Sequence, residues 1–304
     1  MTAGSGDLLA DRRLAWAQAA LDDGDPLGAA DLARQALELQ PSFAPAHFLL
    51  GRAEAELGHR DAAVGAFRQA LAADPDDTLG AAIDLARLAA ADPLGAVSTG
   101  YVRALFDEYA VRFDRHLTRS LHYRGPALLH DAVRRAASLR LRPFAFGTAL
   151  DLGCGTGLAG EAFRPECRVL SGVDLSPAMV EKARRKNLYD ELAVADLAGW
   201  MAARPDGAAD LVLAADVFVY LGDLGRVFSE TARVLAADGL FAFTVQAHGG
   251  QGVVLGADAR FAHAEPYLRD SAAAVGLDVC LLERCVTRED RGEPVPGLLA
   301  VMSR

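Results

Sequence analysis

The feature that most constrains this 304-residue chain is an apolar run that ends in a glycine-rich turn. Residues 149–152 form the run, and the turn Gly-Cys-Gly-Thr-Gly follows at positions 153–157. A second β-rich run, residues 169–175, comes after a helix-length interval and carries Asp174 near its end. A strand, a glycine turn, a helix, a second strand and an acid in this order predict a βαβ unit within a parallel sheet.

The turn and the acid also indicate a kind of ligand. Glycines reach backbone angles that other residues avoid, and they let the main chain approach a bound molecule closely. A helix that begins after the turn directs free N–H groups at the same place, and Asp174 can accept hydrogen bonds from both hydroxyls of a ribose. A dinucleotide fingerprint would need glycine at position 158, where this chain has Leu158. A nicotinamide-dependent oxidoreductase is therefore disfavoured.

The spacing D-x-G-x-G-x-G from Asp151 to Gly157 resembles the first motif of class I S-adenosylmethionine-dependent methyltransferases. Segments similar to later parts of that family follow in the family's order at residues 173–177, 195–197, 210–217, 239–244, 276–285 and 296–302. A polar loop at 288–293 joins the last two. The resemblance covers residues 101–304 and implies an α/β fold, with a Rossmann-like, seven-stranded methyltransferase sheet and a C-terminal antiparallel hairpin.

The resemblance implies S-adenosylmethionine as the cofactor. It implies that Asp174 holds the ribose, that Asp196 accepts from the adenine amino group, and that Asp151 contacts the methionine end, often through water. The alternatives are a helix N-terminal acid for Asp174, a surface acid for Asp196, a turn cap for Asp151 and a packing role for Asp216. The predicted cofactor-binding residues are Asp151, Gly153, Cys154, Gly155, Gly157, Asp174, Leu175, Met179, Asp196, Leu197, Asp216, Tyr109, Tyr123 and Arg124.

Residues 101–146, before the first strand, are predicted to form helices. Helical spacing places Tyr109 on an apolar stripe, which is typical of a core face. The resemblance implies instead that these helices cover the cofactor as a lid and bring Tyr109, Tyr123 and Arg124 near the pocket.

The first part of the chain repeats at a period of 34 residues. Gly24 and Gly58 mark corresponding turns, and each unit reads as helix, turn, helix and a proline stop. The pattern resembles the tetratricopeptide repeat, and together with the later motifs it resembles the predicted bacterial methyltransferases that carry such repeats. We expect two repeats and a capping helix in residues 1–91, a linker at 92–100 and the methyltransferase domain at 101–304. The all-α module is either a groove for a protein partner or a packing collar for the enzyme.

Net charge and a missing motif narrow the class of methyl acceptor. A formal net charge of -10 disfavours binding to a phosphate backbone, and residues 216–220 lack the Asn/Asp-Pro-Pro-Tyr sequence of base amino-methyltransferases. We therefore expect a small-molecule or protein acceptor and no nucleic acid. No apolar run reaches the length that spans a bilayer, so no membrane partner is expected. The cysteines are expected to be ordinary reduced thiols and residues 1–11 do not resemble a signal peptide, so a cytoplasmic location is expected. The four cysteines show no metal-ligand spacing, so no metal is expected.

The sulfonium makes the cofactor's methyl group electrophilic, so the protein has to align the acceptor and exclude water. If the acceptor is a hydroxyl or an ammonium, a base must also remove a proton. His248 and His263 are the candidate catalytic residues, although surface histidines are the commoner interpretation of both. A non-catalytic scaffold, in which the repeats recruit a partner and the fold senses the cofactor, is the alternative function.

Overall fold

The computed structural model describes residues 4–114, 117, 122–290 and 292–304. The chain divides into two compact units, of which the first ends at Ala104 and the second begins at Leu105. The predicted helical segment 101–146 and the predicted polar loop 288–293 each include residues outside this description, namely 115, 116 and 118–121 in the first and 291 in the second.

The first unit consists of antiparallel helices joined by tight turns. Its helices are α1 (Leu8–Asp22), α2 (Pro26–Leu39), α3 (Ala44–Glu56), α4 (Arg60–Ala73) and α5 (Ala81–Arg87), followed by a 3-10 turn at Pro93–Gly95. Gly24 and Gly58 occupy the two equivalent turns with φ of 78° and 79°, a conformation that favours glycine. Two helix pairs and the further helix α5 thus lie in residues 1–91, where two repeats and a capping helix are predicted.

Small residues set how closely these helices approach. Ala29, Ala33 and Ala53 are fully buried or nearly so in the contact between the first three helices. In the second pair, Gly51 of α3 lies directly against the ring of Phe67 of α4: a Cβ at Gly51 would come 2.6 Å from that ring. The first unit therefore depends on the absence of a side chain at Gly51.

The second unit is an α/β sheet flanked by helices. Helix α6 (Thr99–Tyr109) crosses the division between the units. The later helices are α7 (Gly125–Leu139), α8 (Leu158–Phe163), α9 (Pro177–Arg185), α10 (Leu197–Ala202), α11 (Gly225–Val234) and α12 (Glu265–Ala274). The strands are β1 (Phe146–Leu152), β2 (Cys167–Asp174), β3 (Glu191–Val194), β4 (Ala209–Ala214), β5 (Leu235–Ala247), β6 (Val253–Leu255), β7 (Phe261–His263), β8 (Asp278–Asp290) and β9 (Glu293–Ser303).

The strand order confirms the predicted sheet. Strands β3, β2, β1, β4 and β5 lie side by side and parallel; β9 then pairs antiparallel with β5, and β8 antiparallel with β9. Two short strands, β6 and β7, were not predicted. Strand β7 pairs in parallel with Gln246 and Ala247 at the end of β5, and His263 ends β7 two residues before α12.

Both faces of the sheet are buried, which explains the continuous apolar runs of the central strands. Leu150 and Phe243 belong to the core on one face, whereas Ala149 and Leu213 belong to the core on the other. The carboxyl ends of β1, β2, β4 and β5 meet at one edge, the usual ligand edge of such sheets. Among the described helices, none is both long and apolar enough to cross a bilayer.

We expect Gly51→Ala to destabilise the first unit by about 1–3 kcal/mol, because the added methyl group overpacks the contact with Phe67. The matched control is Gly65→Ala on α4, where a Cβ meets no atom of the described residues within 4 Å and the change favours the helix by about 0.5–1 kcal/mol. Thermal unfolding of the full chain measures both. Equal midpoints for the two variants would contradict the packing argument.

Candidate functional site

The glycine turn leaves β1 in a conformation that requires glycine. Gly153 has φ of 65°, and a Cβ there would come 2.5 Å from Val217. Gly155 has φ of 52°, but its Cβ position is open: apart from its chain neighbours, Phe113 at 3.9 Å is the one described residue within 4 Å. The Cys154 N–H donates to the Val173 carbonyl oxygen over 2.9 Å, which ties the turn to β2. The open side at Gly155 lets a ligand approach the main chain.

Asp174 holds this turn from the end of β2. Its Oδ2 accepts the Gly155 N–H and its Oδ1 accepts the Ser176 N–H, each over 2.9 Å. A carboxylate offers about four lone-pair sites, so each oxygen can accept one further hydrogen bond, as two ribose hydroxyls require. Burial raises the pKa of Asp174 above its usual value, and the two backbone N–H groups oppose that rise.

Asp107, which sequence reasoning did not single out, reaches the same place from α6. Its Oδ1 accepts the Ser176 Oγ–H over 2.5 Å and the Ala178 N–H over 3.3 Å. Ser176 is also the N-cap of α9, because its Oγ accepts the Met179 N–H over 3.0 Å. Asp107 thus adds negative charge at a helix N-terminus, where it is stabilising.

A second acid, Asp114, binds the other side of the turn. It accepts a hydrogen bond from the Thr156 hydroxyl, and the Lys186 ammonium lies 3.3 Å from its carboxylate. The segment from Asp107 to Asp114 therefore contacts both the glycine turn and α9. This placement is compatible with the lid that the resemblance implies.

Aromatic side chains connect that segment to the end of β4. The rings of Tyr109 and Phe113 lie 5.2 Å apart between centroids, and those of Phe106 and Tyr220 lie 5.3 Å apart. Burial raises the pKa of Tyr109, and the nearby Arg112 opposes the rise. Tyr109 is thus placed in an aromatic cluster at the ligand edge.

Asp151 lies beneath the turn and is 1% exposed. Its Oδ2 accepts the Tyr189 O–H over 2.6 Å, and its Oδ1 is buried with no hydrogen-bond partner among the described residues. Burial raises the pKa of Asp151 to about 7, although the Tyr189 hydroxyl lowers it and the charge of Asp174 raises it further. Tyr189 was missed because nothing in its local sequence points at Asp151.

Three further predicted cofactor-binding residues, Met179, Asp196 and Leu197, lie at the starts of two helices. Met179 is fully buried in the first turn of α9. Asp196 is the N-cap of α10, where its Oδ2 accepts the Gly199 N–H over 2.8 Å, and Leu197 is buried beside it. Because the cap engages one oxygen of Asp196, the other can still accept from an adenine amino group.

Asp216, at the end of β4, is held by the C-terminal hairpin. Its φ of 61° is rare for a residue with a side chain. Its N–H donates to the Thr244 hydroxyl over 2.9 Å, and both carboxylate oxygens lie 2.6 Å from Arg288 Nη1. The Arg288 side chain is 4% exposed and also donates to Gln246 over 3.1 Å. The structure thus pairs Asp216 with Arg288, which sequence reasoning missed.

Tyr123 and Arg124 lie beside the same hairpin. Burial raises the pKa of the Tyr123 hydroxyl well above its usual value, and the charges of Asp216 and Arg288 act on it in opposite directions. Arg124 uses its backbone N–H, which donates to the Thr287 carbonyl oxygen over 2.7 Å. These two residues therefore stand at the β8 side of the ligand edge.

The two histidines bind neighbouring backbone groups. His248 accepts the Gly250 N–H at Nδ1 over 3.1 Å, and its Nε2 lies 3.2 Å from the Gly252 carbonyl oxygen. His263 has no solvent exposure, and its Nε2 lies 3.0 Å from the Leu221 carbonyl oxygen. Burial lowers the pKa of His263 to about 4. A role for either as a base stays a prediction. In the described part of the chain, no group of His, Cys, Asp and Glu could hold a metal ion.

The raised pKa of Asp151 makes the stability of the cofactor-free protein depend on pH. An acid whose pKa is higher in the folded chain stabilises that chain while protonated, and the stabilisation is lost as pH rises from the unfolded value of about 4 towards about 7. Asp151→Asn removes this loss. We expect the free energy of unfolding of the variant, relative to that of the native chain, to increase by about 2 kcal/mol between about pH 5 and about pH 8. Denaturant unfolding at both pH values measures it; a difference independent of pH would contradict the assignment.

Comparison with known proteins agrees with this geometry. A family model described as a methyltransferase domain matches residues 150–243, and one described as a tetratricopeptide repeat matches residues 44–77. The malonyl-acyl-carrier-protein O-methyltransferase of Geobacter sulfurreducens is 35% identical over 149 residues, which are 45% of this chain and 55% of that protein. The trans-aconitate 2-methyltransferase of Pseudomonas aeruginosa (strain UCBPP-PA14) is 40% identical over 94 residues, which are 30% of this chain and 33% of that protein.

An 18S rRNA (guanine-N(7))-methyltransferase of Bos taurus is 27% identical over 105 residues, which are 34% of this chain and 37% of that protein. The chain thus spans about half or less of the length of these relatives. Because one of them is named for an rRNA, the expectation against nucleic acid gains no support. The matched segment contains the glycine turn, Asp174 and all or part of the five parallel strands β1 to β5. The chain therefore carries an S-adenosylmethionine-dependent methyltransferase domain, preceded by a tetratricopeptide repeat.

Proposed function

We propose that this protein transfers a methyl group from S-adenosylmethionine to a small-molecule or protein acceptor. The observation that carries the proposal is the carboxylate of Asp174, which holds the open glycine turn at Gly155 and keeps acceptor capacity on both oxygens. This arrangement fits an adenosine ribose, because it offers two acceptors at the carboxyl end of β2. The buried Asp151, once it ionises above about pH 7, adds a negative charge below the turn, which fits a cationic cofactor.

The cofactor, when bound, supplies an electrophilic methyl group on a sulfonium, so no covalent nucleophile is required of the protein. The chain's own residues orient the cofactor and enclose it. Asp174 fixes the ribose, the turn at Gly155 allows close approach, and the segment from Asp107 to Asp114 excludes water. Alignment of the acceptor with the methyl group supplies most of the remaining rate enhancement.

An acceptor that loses a proton also needs a base within hydrogen-bond reach. His248 remains the better candidate of the two histidines, because it is partly exposed at the end of β5, whereas His263 is enclosed. The net charge of -10 supports a small-molecule or protein acceptor. We further propose that the repeat at residues 44–77 binds a protein partner, and that the protein is cytoplasmic, which its four free cysteine thiols support.

We expect Asp174→Asn to weaken S-adenosylmethionine binding roughly 10- to 100-fold, since a charge-assisted hydrogen bond contributes about 1.5–3 kcal/mol. Asp174→Ala should abolish binding. The matched control is Asp210→Asn: Asp210 also accepts a backbone N–H, from Thr148 over 2.8 Å, but at the opposite end of β1. Calorimetry measures all three variants. Native affinity in Asp174→Asn would contradict the ribose assignment.

Catalysis has its own test. We expect cell extract with methyl-labelled S-adenosylmethionine to show transfer of label that depends on the native protein and is lost in Asp174→Ala. Label found in a small molecule or a protein supports the proposal, and label in nucleic acid would overturn the acceptor class. Cofactor binding without transfer to any extract component would favour the scaffold alternative.

A further inference from the structure

Tyr189 lies in the connection between α9 and β3, outside every motif that the sequence singled out. The next residue, Asp190, anchors this connection to β2. Its N–H donates to the Leu170 carbonyl oxygen and its Oδ2 accepts the Leu170 N–H, each over 2.8 Å, and its carboxylate forms an ion pair with Arg164 over 2.6 Å. The Tyr189 ring is thereby held in a fixed place under the glycine turn.

Three glycines make room for that ring. A Cβ at Gly172 of β2 would come 2.9 Å from the Tyr189 ring, and one at Gly157 would come 3.1 Å from it. A Cβ at Gly160 would collide with the hydroxyl and the adjoining ring carbon. Glycines from the turn, α8 and β2 thus form a slot that fits the Tyr189 ring. Its hydroxyl ends 2.6 Å from Asp151 Oδ2.

We propose that Tyr189 is a positioning residue of the cofactor site, which holds the carboxylate of Asp151 beneath the glycine turn through its O–H···Oδ2 hydrogen bond. A hydroxyl that donates to a carboxylate favours the ionised form. An ionised Asp151 attracts a cation bound above it, and that attraction is strong where water is excluded. Tyr189 therefore acts on the cofactor through Asp151. The inference rests on the proposed function, because it takes the sulfonium cofactor as the ligand.

The titratable groups that act on Asp151 are Tyr189, Asp174, Cys154, Tyr123 and Cys167. Burial raises the pKa of both thiols and both hydroxyls, to about 12 for Cys167 and well above the usual value for the others. These four groups therefore stay neutral between about pH 6 and about pH 8.5. Asp174 is the one carboxylic acid among these five groups. Because every variant compared below retains Asp174, its titration affects all of them alike.

The test is the pH dependence of S-adenosylmethionine affinity, measured by calorimetry from about pH 6 to about pH 8.5. The native protein should bind more tightly as Asp151 ionises. Tyr189→Phe keeps the ring in its glycine slot and removes the donor, so the midpoint of this rise should move upward by about one pH unit. Tyr267→Phe is the matched control: it also removes a hydroxyl from a half-buried side chain, one that accepts the Leu224 N–H over 2.9 Å, and its midpoint should stay native.

Asp151→Asn should bind S-adenosylmethionine weakly, and its affinity should not rise with pH. Any effect of the ligand's own ionisation is the same for all variants. S-adenosylhomocysteine, which lacks the sulfonium charge, should show a smaller rise with the native protein. Superimposed pH profiles of the native protein and Tyr189→Phe, with native-like binding by both, would overturn the role of Tyr189 and leave the proposed function standing. Failure of the native protein to bind S-adenosylmethionine at any pH would overturn both.

Discussion

The site depends on the pair of hydrogen bonds that Asp174 accepts from Gly155 and Ser176. These bonds join the turn that leaves β1 to the loop that leaves β2. The register of the two strands, in which Leu152 pairs with Val173, sets their spacing. Because the strands are buried on both faces, a slip of this register would expose core side chains, so the sheet enforces the position of the carboxylate.

The same geometry concentrates negative charge. Asp151 is buried and Asp174 is half-buried, and the charge of each raises the cost of ionising the other. Asp107 adds a third carboxylate near Asp174. Without a ligand this cluster of carboxylates destabilises the fold, and under the proposed function a cation bound beside it would relieve the repulsion. The arrangement illustrates how a binding site can be less stable than the rest of the structure when its ligand is absent.

Local patterns predicted most of the architecture. The glycine turn, the acid at the end of β2 and the apolar runs of the central strands have short-range signatures, because turn angles and strand burial select their residues directly. The strands β6 and β7 are three residues each and leave no such signature.

The missed site residues share one property: each acts on a partner far away in sequence. Asp107 contacts Ser176 across 69 positions, Tyr189 contacts Asp151 across 38, and Arg288 contacts Asp216 across 72. Such pairs depend on tertiary packing, which no single-sequence pattern encodes. The glycines around Tyr189 were a readable signal in principle, because Gly160 and Gly172 have no part in the turn itself, yet they have meaning only once the ring between them is known.

The central claim is that the turn and Asp174 enclose an adenosyl sulfonium. A crystal structure grown with both S-adenosylmethionine and NAD tests it most directly. We predict density for the adenosyl cofactor, with both ribose hydroxyls within hydrogen-bond distance of the Asp174 carboxylate. An empty crevice, or a dinucleotide pyrophosphate at Gly155, would contradict the account.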